Sequence, residues 1–158
     1  MAVQVAVCGP AQCGEREWHL AHELGRLLAE RQAVVICGGH GGVMAAVAAG
    51  ARSRDGLVVG VLPGADRAGA GPDLSVAIAT GMGQARNSVI VHSGDAVIVV
   101  GGSWGTLSEL ALAVRRGGVP VVQLGDGWRL VEAGGHEVPG VRHARTPAEA
   151  LDLTGLWP

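Results

Sequence analysis

Residues 96–109 read AVIVVGGSWGTLSE. Five apolar residues, Ala96 to Val100, run on without polar alternation, and Gly101, Gly102 and Ser103 then close them. A continuous β-branched run of this kind predicts a strand covered on both faces, and helices must do the covering. The segment 105–116 behind it has helical length, so the stretch predicts a strand, a glycine turn and a helix in direct succession.

The same punctuation recurs along the chain. VQVAVCG at 3–9, AVVICGG at 33–39, LVVGVLPG at 57–64, SVAIATG at 75–81 and VPVVQLG at 119–125 are all apolar runs closed by glycine, and all read as buried parallel strands. Between the first two, Leu20, Leu24, Leu27 and Leu28 form a stripe at helical spacing, with Glu15, His19, His22, Arg26 and Glu30 on the other face. Segments 42–53 and 83–93 are also Ala-rich or mixed and of helical length. The order β-α-β-α-β-β-α-β-α-β predicts an α/β fold, an open doubly wound parallel sheet. Residues 125–145 are turn-rich and read as a hairpin or loop, after which Thr146 caps a short helix opened by Pro147. No repeat, long charge run or linker divides residues 1–158, which read as a single domain.

Composition removes several function classes. All 12 basic residues are Arg, so the Lys of a pyridoxal phosphate enzyme and of a Walker A loop is missing. Gly9 to Gly14 has the P-loop spacing, but Glu15 stands where that Lys belongs. A net charge of −2 with scattered Arg leaves no footprint for nucleic acid or an anionic membrane. No stretch approaches the roughly 18 apolar residues of a membrane span. Three cysteines, Cys8, Cys13 and Cys37, are odd in number and lie in or beside apolar segments. They read as reduced, buried thiols, and the expected location is cytoplasmic. His19 and His22 have no third convergent ligand, so no metal is expected.

The 27 glycines concentrate at strand ends. CGPAQCG, CGGHGGVM, GMGQARN and GGSWGTLSE each follow a predicted strand, at the edge where open parallel sheets bind ligands. Glycine lets the backbone approach a ligand closely, and a helix starting there aims free N–H groups at an anion. Gly38, Gly39, Gly41 and Gly42 are therefore candidate phosphate-binding residues. The dinucleotide pattern GxGxxG is absent after the first strand, which favours a nucleoside monophosphate or ribose phosphate over NAD. Two polar residues stand out at this edge, Arg86 and Glu109. An Arg can neutralise phosphate or developing charge, and a carboxylate one turn into the helix can meet a sugar. The bland alternatives are a surface ion pair for Arg86 and, for Glu109, a capping box spelled by Thr106 and Glu109. His40 is a phosphate donor or a solvated loop residue, and Trp104 covers the ligand, meets a partner subunit or packs in the core.

GGSWGTLSE, preceded by GMGQARN, resembles the Lonely Guy (LOG) family of nucleoside 5′-monophosphate phosphoribohydrolases, which carry PGGxGTxxE preceded by GMxxRK. The spacing from Arg86 to Glu109 agrees without a gap, and CGGHGGVM resembles that family's GGGxxGLM segment. The resemblance implies a Rossmann-like homodimer, without cofactor, that cleaves the N-glycosidic bond of a purine nucleoside monophosphate to give base and ribose 5-phosphate. It implies Arg86 and Glu109 as the catalytic pair, and Gly102, Ser103, Gly105 and Thr106 as the phosphate-binding turn. An oxocarbenium-like transition state suits a nearby carboxylate. The chain departs from the pattern at Gly101 for Pro, Ser103 for Gly, Ser108 for Glu and Asn87 for Lys. The same superfamily resembles a molybdenum-cofactor carrier and DNA-processing proteins, so the alternative is a nucleotide- or molybdenum-cofactor-binding carrier that hydrolyses nothing. For the dimer, an Ala-rich helix offers a surface on which a second copy could pack.

Overall fold

The computed structural model describes Met1–Pro158. The opening run, Ala96–Val100, is strand β5, and all five of its residues are buried. The other strands are β1 (Gln4–Cys8), β2 (Val34–Cys37), β3 (Val58–Leu62), β4 (Val76–Ala79), β6 (Val121–Leu124) and β7 (Arg142–Ala144). All pair in parallel, in the spatial order β4-β3-β2-β1-β5-β6-β7. From β1 the chain steps outward to β4, returns to lay β5 beside β1, then steps outward the other way. That reversal opens a crevice at the carboxyl ends of β1 and β5.

Strand side chains alternate between two helical layers. Val5, Val7, Val35, Ile98, Val122 and Leu124 pack under α1 (Glu15–Glu30), α2 (Val43–Arg52) and α5 (Pro147–Thr154). Ala6, Cys8, Ile36, Val97, Val99 and Val121 pack under α3 (Arg86–Ser93) and α4 (Trp104–Arg116). Leu24 and Leu28 of the predicted stripe are fully buried, each contributing about 1.5–3 kcal/mol. No helix is long and apolar enough to cross a membrane.

The Ala-rich helix α2 packs its small residues closely inside the chain. A Cβ on Gly25 of α1 would lie 2.1 Å from the Val47 carbonyl, and one on Gly50 of α2 would lie 1.9 Å from the His22 carbonyl. Backbone-to-backbone packing of α1 on α2 thus accounts for the small residues of this helix within the single chain.

Two expectations change. The segment 75–81 is not covered on both faces: β4 is the sheet's edge, and Val76 and Ile78 are 51% and 46% exposed. The turn-rich segment 125–145 has one isolated antiparallel bridge, Val131 to Glu137, but also yields β7, a seventh parallel strand on β6. The tail helix forms as predicted, with the Thr146 hydroxyl accepting from the Glu149 N–H at 3.2 Å and Pro147 in the first turn.

Candidate functional site

Three glycine turns meet at the crevice. Pro10 and Ala11, in the β1–α1 turn, lie between the other two: a Cβ on Gly42 would come within 2.3 Å of the Pro10 carbonyl, and one on Gly101 within 3.5 Å of the Pro10 ring. Gly39 has φ +78, and its missing Cβ leaves room for Leu62. Gly39 and Gly42 therefore have reasons within the fold itself, as does Gly38, where a Cβ would come within 2.6 Å of the Met44 sulfur. Gly105 does not: it is helical, and a Cβ there would meet only the Ser103 hydroxyl, at 3.7 Å. Its backbone lies open at the start of α4, where the N–H groups of Trp104 and Gly105 have no partner within the helix.

The cap of α4 sits one turn earlier than the Thr106–Glu109 box would place it. Ser103 is the N-cap; its hydroxyl accepts from the Thr106 N–H at 3.2 Å, and the Thr106 hydroxyl accepts from the Ser103 N–H at 2.5 Å. Two consequences follow for the expected site. Ser103 and Thr106 satisfy each other, leaving backbone N–H groups as the donors that face outward. Glu109 is relieved of capping and turns into the protein, where it is buried on the second turn of α4.

Arg86, the first residue of α3, is delivered by a single 3-10 turn at Gly83–Ala85. It is only 8% exposed. Its Nε donates to the Val61 carbonyl at the end of β3, at 2.9 Å, and Nη1 donates to Asn87 Oδ1. Its Nη2 would lie 3.0 Å from a Cβ on Gly38, so the guanidinium reaches the second glycine turn. No ion pair of the chain involves it. Arg86 is thus a buried cation without a carboxylate partner, not the surface ion pair of the alternative reading. A buried charge with no carboxylate at ion-pair distance is costly, which makes this locus receptive to an anion.

Glu109 lies within reach of the Arg86 charge. Burial pushes its carboxyl above the ordinary value of 4.5, while a hydrogen bond from the Cys8 thiol and the Arg86 charge pull it back. Cys8, at the end of β1, is itself pushed well up by burial and then by Glu109, and burial raises Cys37 to about 11. Neither is a thiolate nucleophile at neutral pH. The arrangement sets a guanidinium within reach of a carboxyl group on a helix whose first N–H groups are free.

Residues 2–151 match the SLOG cluster4 family. The chain belongs to that family. A SLOG assignment agrees with the LOG-like resemblance carried by GGSWGTLSE and with the Rossmann-like sheet. An uncharacterised protein of Archaeoglobus fulgidus is 47% identical over 115 residues, covering 73% of this chain and 76% of that one. Among solved structures the chain is similar to the molybdenum cofactor binding protein of the phototrophic bacterium Rippkaea orientalis. That match has 32% identity and a TM-score of 0.86, covering 97% of this chain and 95% of the other. It is also similar to the molybdenum cofactor carrier protein of Chlamydomonas reinhardtii, at 28% identity and a TM-score of 0.80, covering 96% and 95%.

Several residues of this SLOG site escape sequence reasoning. Cys8 read as a small hydrophobe, yet it is the hydrogen-bond partner of Glu109. Asn87 read only as a departure from Lys, yet it holds the Arg86 guanidinium. Gln123 and Trp128 secure the β5–α4 turn from β6 and the loop beyond it: Gln123 Nε2 donates to Val99 and Gly101 carbonyls at 3.2 Å, and Trp128 Nε1 donates to the Ser103 carbonyl at 2.9 Å. A lone Gln inside the apolar run VPVVQL was the available signal. His40 is strapped to the β3–β4 loop through Gly69, with Nδ1 3.2 Å from that carbonyl. Trp104 is 79% exposed, its ring 5.3 Å from that of Trp128, and is not in the core.

Proposed function

We propose that this chain binds a phosphorylated small molecule at the carboxyl edge of β1 and β5, as a carrier of the molybdenum cofactor or of a similar phosphorylated heterocycle. The observation that carries this reading is Arg86, a buried guanidinium in no ion pair, set beside the second glycine turn and within electrostatic reach of Glu109 on α4. The ligand's phosphate meets the N–H groups of Trp104 and Gly105 and the Arg86 guanidinium, with Gly102, Ser103 and Thr106 shaping the turn and Gly38, Gly39, Gly41 and Gly42 forming the facing wall. Likeness to molybdenum cofactor binding and carrier proteins along nearly the whole chain supports that class of cargo.

One observation favours a second reading, phosphoribohydrolase activity on a nucleoside 5′-monophosphate. Glu109 shares the crevice with Arg86, and a carboxylate there could stabilise a ribosyl cation and orient a water. The two readings separate in one experiment. The purified chain is titrated calorimetrically with molybdenum cofactor, 5′-AMP and ribose 5-phosphate, while free base release is followed by chromatography. Saturable binding of the cofactor without base release, lost in Arg86→Met, is expected. Adenine release abolished in Glu109→Gln would instead establish the hydrolase. Failure to bind any phosphorylated compound would refute both.

A further inference from the structure

Over the carboxyl ends of β6 and β7, outside the Arg86 crevice, lies a cavity of about 540 Å³. That volume suits a nucleoside or a bicyclic heterocycle rather than a lone ion. Gln123 lines it, and stands in the sheet between β5 and β7, so its side chain is the part that faces the cavity. Gln123 Oε1 is the one buried side-chain polar atom of the chain with no hydrogen-bond partner. The amide protons are committed to the Val99 and Gly101 carbonyls at 3.2 Å, so turning the amide over would only set oxygen against oxygen. A buried acceptor left without a donor is costly, and a ligand N–H would relieve it. A Cβ on Gly127 would come within 2.3 Å of the amide nitrogen, so glycine alone fits against the amide at the cavity wall.

The rest of the wall carries charge of both signs. Arg16 and Arg129 are engaged, by Asp126 at 2.7 Å and by Glu137 at 3.5 Å. Arg145 lines the same cavity and is in none of the chain's ion pairs. Glu149, in the first turn of α5, accepts from the Arg145 backbone N–H through Oε2 at 2.7 Å, which leaves Oε1 over. Trp128 closes one side, its indole N–H held by the Ser103 carbonyl at 2.9 Å. The uncommitted groups are thus two acceptors, Gln123 Oε1 and Glu149 Oε1, one cation and one aromatic ring. Acceptors select N–H donors, a ring selects a planar partner, and a cation adds an anionic substituent. A heterocycle with an amino-lactam edge, a ring N–H flanked by an amino group and a carbonyl, meets all of these requirements. Guanine and the pterins share that edge, whereas adenine has no lactam N–H.

We propose that this cavity is a second binding site, for a planar heterocycle that has an amino-lactam edge and carries an anionic group. The N–H edge meets Gln123 and Glu149, the ring lies against Trp128, and the anion pairs with Arg145. The site is separate from the Arg86 crevice and rests on no reading of it.

Calorimetric titration of the full chain with 5′-GMP and with pterin-6-carboxylate tests the proposal, with the indole N–H resonance of Trp128 as a second readout. At least one of the two should bind saturably and shift that resonance, and whichever binds identifies the source of the heterocycle. Arg145→Ala and Glu149→Gln should each weaken the binding by about tenfold or more. Both side chains are exposed, and Gln serves as well as Glu at that position of the α5 cap, so folding tolerates both changes. 5′-AMP, without the lactam N–H, should show no binding that depends on Arg145. Ribose 5-phosphate has no heterocycle and reads the crevice alone, so its affinity should be equal in the wild type and in Arg145→Ala. The proposal is overturned if neither heterocycle binds, if either substitution leaves the affinity unchanged, or if 5′-AMP shows the same dependence on Arg145. A loss of ribose 5-phosphate affinity in Arg145→Ala overturns it too, by merging cavity and crevice. Heterocycle binding without any ribose 5-phosphate binding supports the cavity and counts against the crevice alone.

Discussion

Replacing Arg86 by Met separates the two things this side chain does. In the folded chain it is 8% exposed, donates to the Val61 carbonyl at 2.9 Å and to Asn87 Oδ1, and has no acidic partner. Removing it leaves two acceptors without a donor, at a cost of about 1–3 kcal/mol each. It also removes a buried charge whose desolvation costs several kcal/mol and which no paired carboxylate offsets. The contributions oppose one another, so the stability of the unliganded protein should change by less than about 2 kcal/mol. At about 2–4 °C per kcal/mol for a domain of this size, the melting temperature should move by less than about 8 °C in either direction. Ligand affinity has no such compensation. Losing the buried cation opposite a phosphate costs about 2–5 kcal/mol, or about 30- to 5,000-fold in Kd. Circular dichroism melts of the unliganded variant, with calorimetric titration of phosphorylated ligands, measure both. A melting temperature that collapses while affinity is retained would make Arg86 a structural strut and refute the anion-site reasoning.

Glu109→Gln should stabilise the chain at neutral pH, because burial holds the folded carboxyl above its ordinary value of 4.5. Between that value and the raised one the folded state holds the extra proton, so wild-type stability falls as pH rises and then levels off. Denaturant melts should show the gain at pH 7 vanish below about pH 4.5; a gain that persists in acid would contradict the account. Gly105→Ala adds a methyl that meets nothing closer than 3.7 Å, and should stabilise α4 by up to about 1 kcal/mol while weakening phosphate binding at least about tenfold. Equal affinity in that variant would place the phosphate elsewhere. Gly25→Ala drives a Cβ to 2.1 Å from the Val47 carbonyl, and should lower stability by about 3 kcal/mol or more, or about 6–12 °C in melting temperature. A thermal melt within a degree of wild type would mean that α1 and α2 do not pack backbone to backbone.

Much of the crevice is legible in the one-dimensional pattern. Glycine punctuation after Cys8, Cys37 and Val100 marks three turns, and the order of apolar runs puts those turns on one edge of a parallel sheet. Arg86 and Glu109 stand out because they are the charged residues of two glycine-rich strand exits. Their surroundings are not legible. Thr106–Glu109 fits a capping box as well as Ser103–Thr106 does, and local sequence cannot choose between two caps three residues apart. The pairing of Cys8 with Glu109 and of Trp128 with Ser103 joins positions about a hundred and 25 residues apart respectively, through strand order alone.

By itself the sequence determined what local physics decides: where strands end, where glycine must turn the chain, that the class is α/β and that the glycine turns gather at the carboxyl edge of the sheet. Only the tertiary structure decided that β4 lies at the rim with half its apolar surface bare, that the tail contributes β7, and that Arg86 is buried outside any ion pair. Those outcomes depend on which strands become neighbours. A run such as VAIA has the same period and propensity at an edge as in the centre, and its burial is set by what packs beside it.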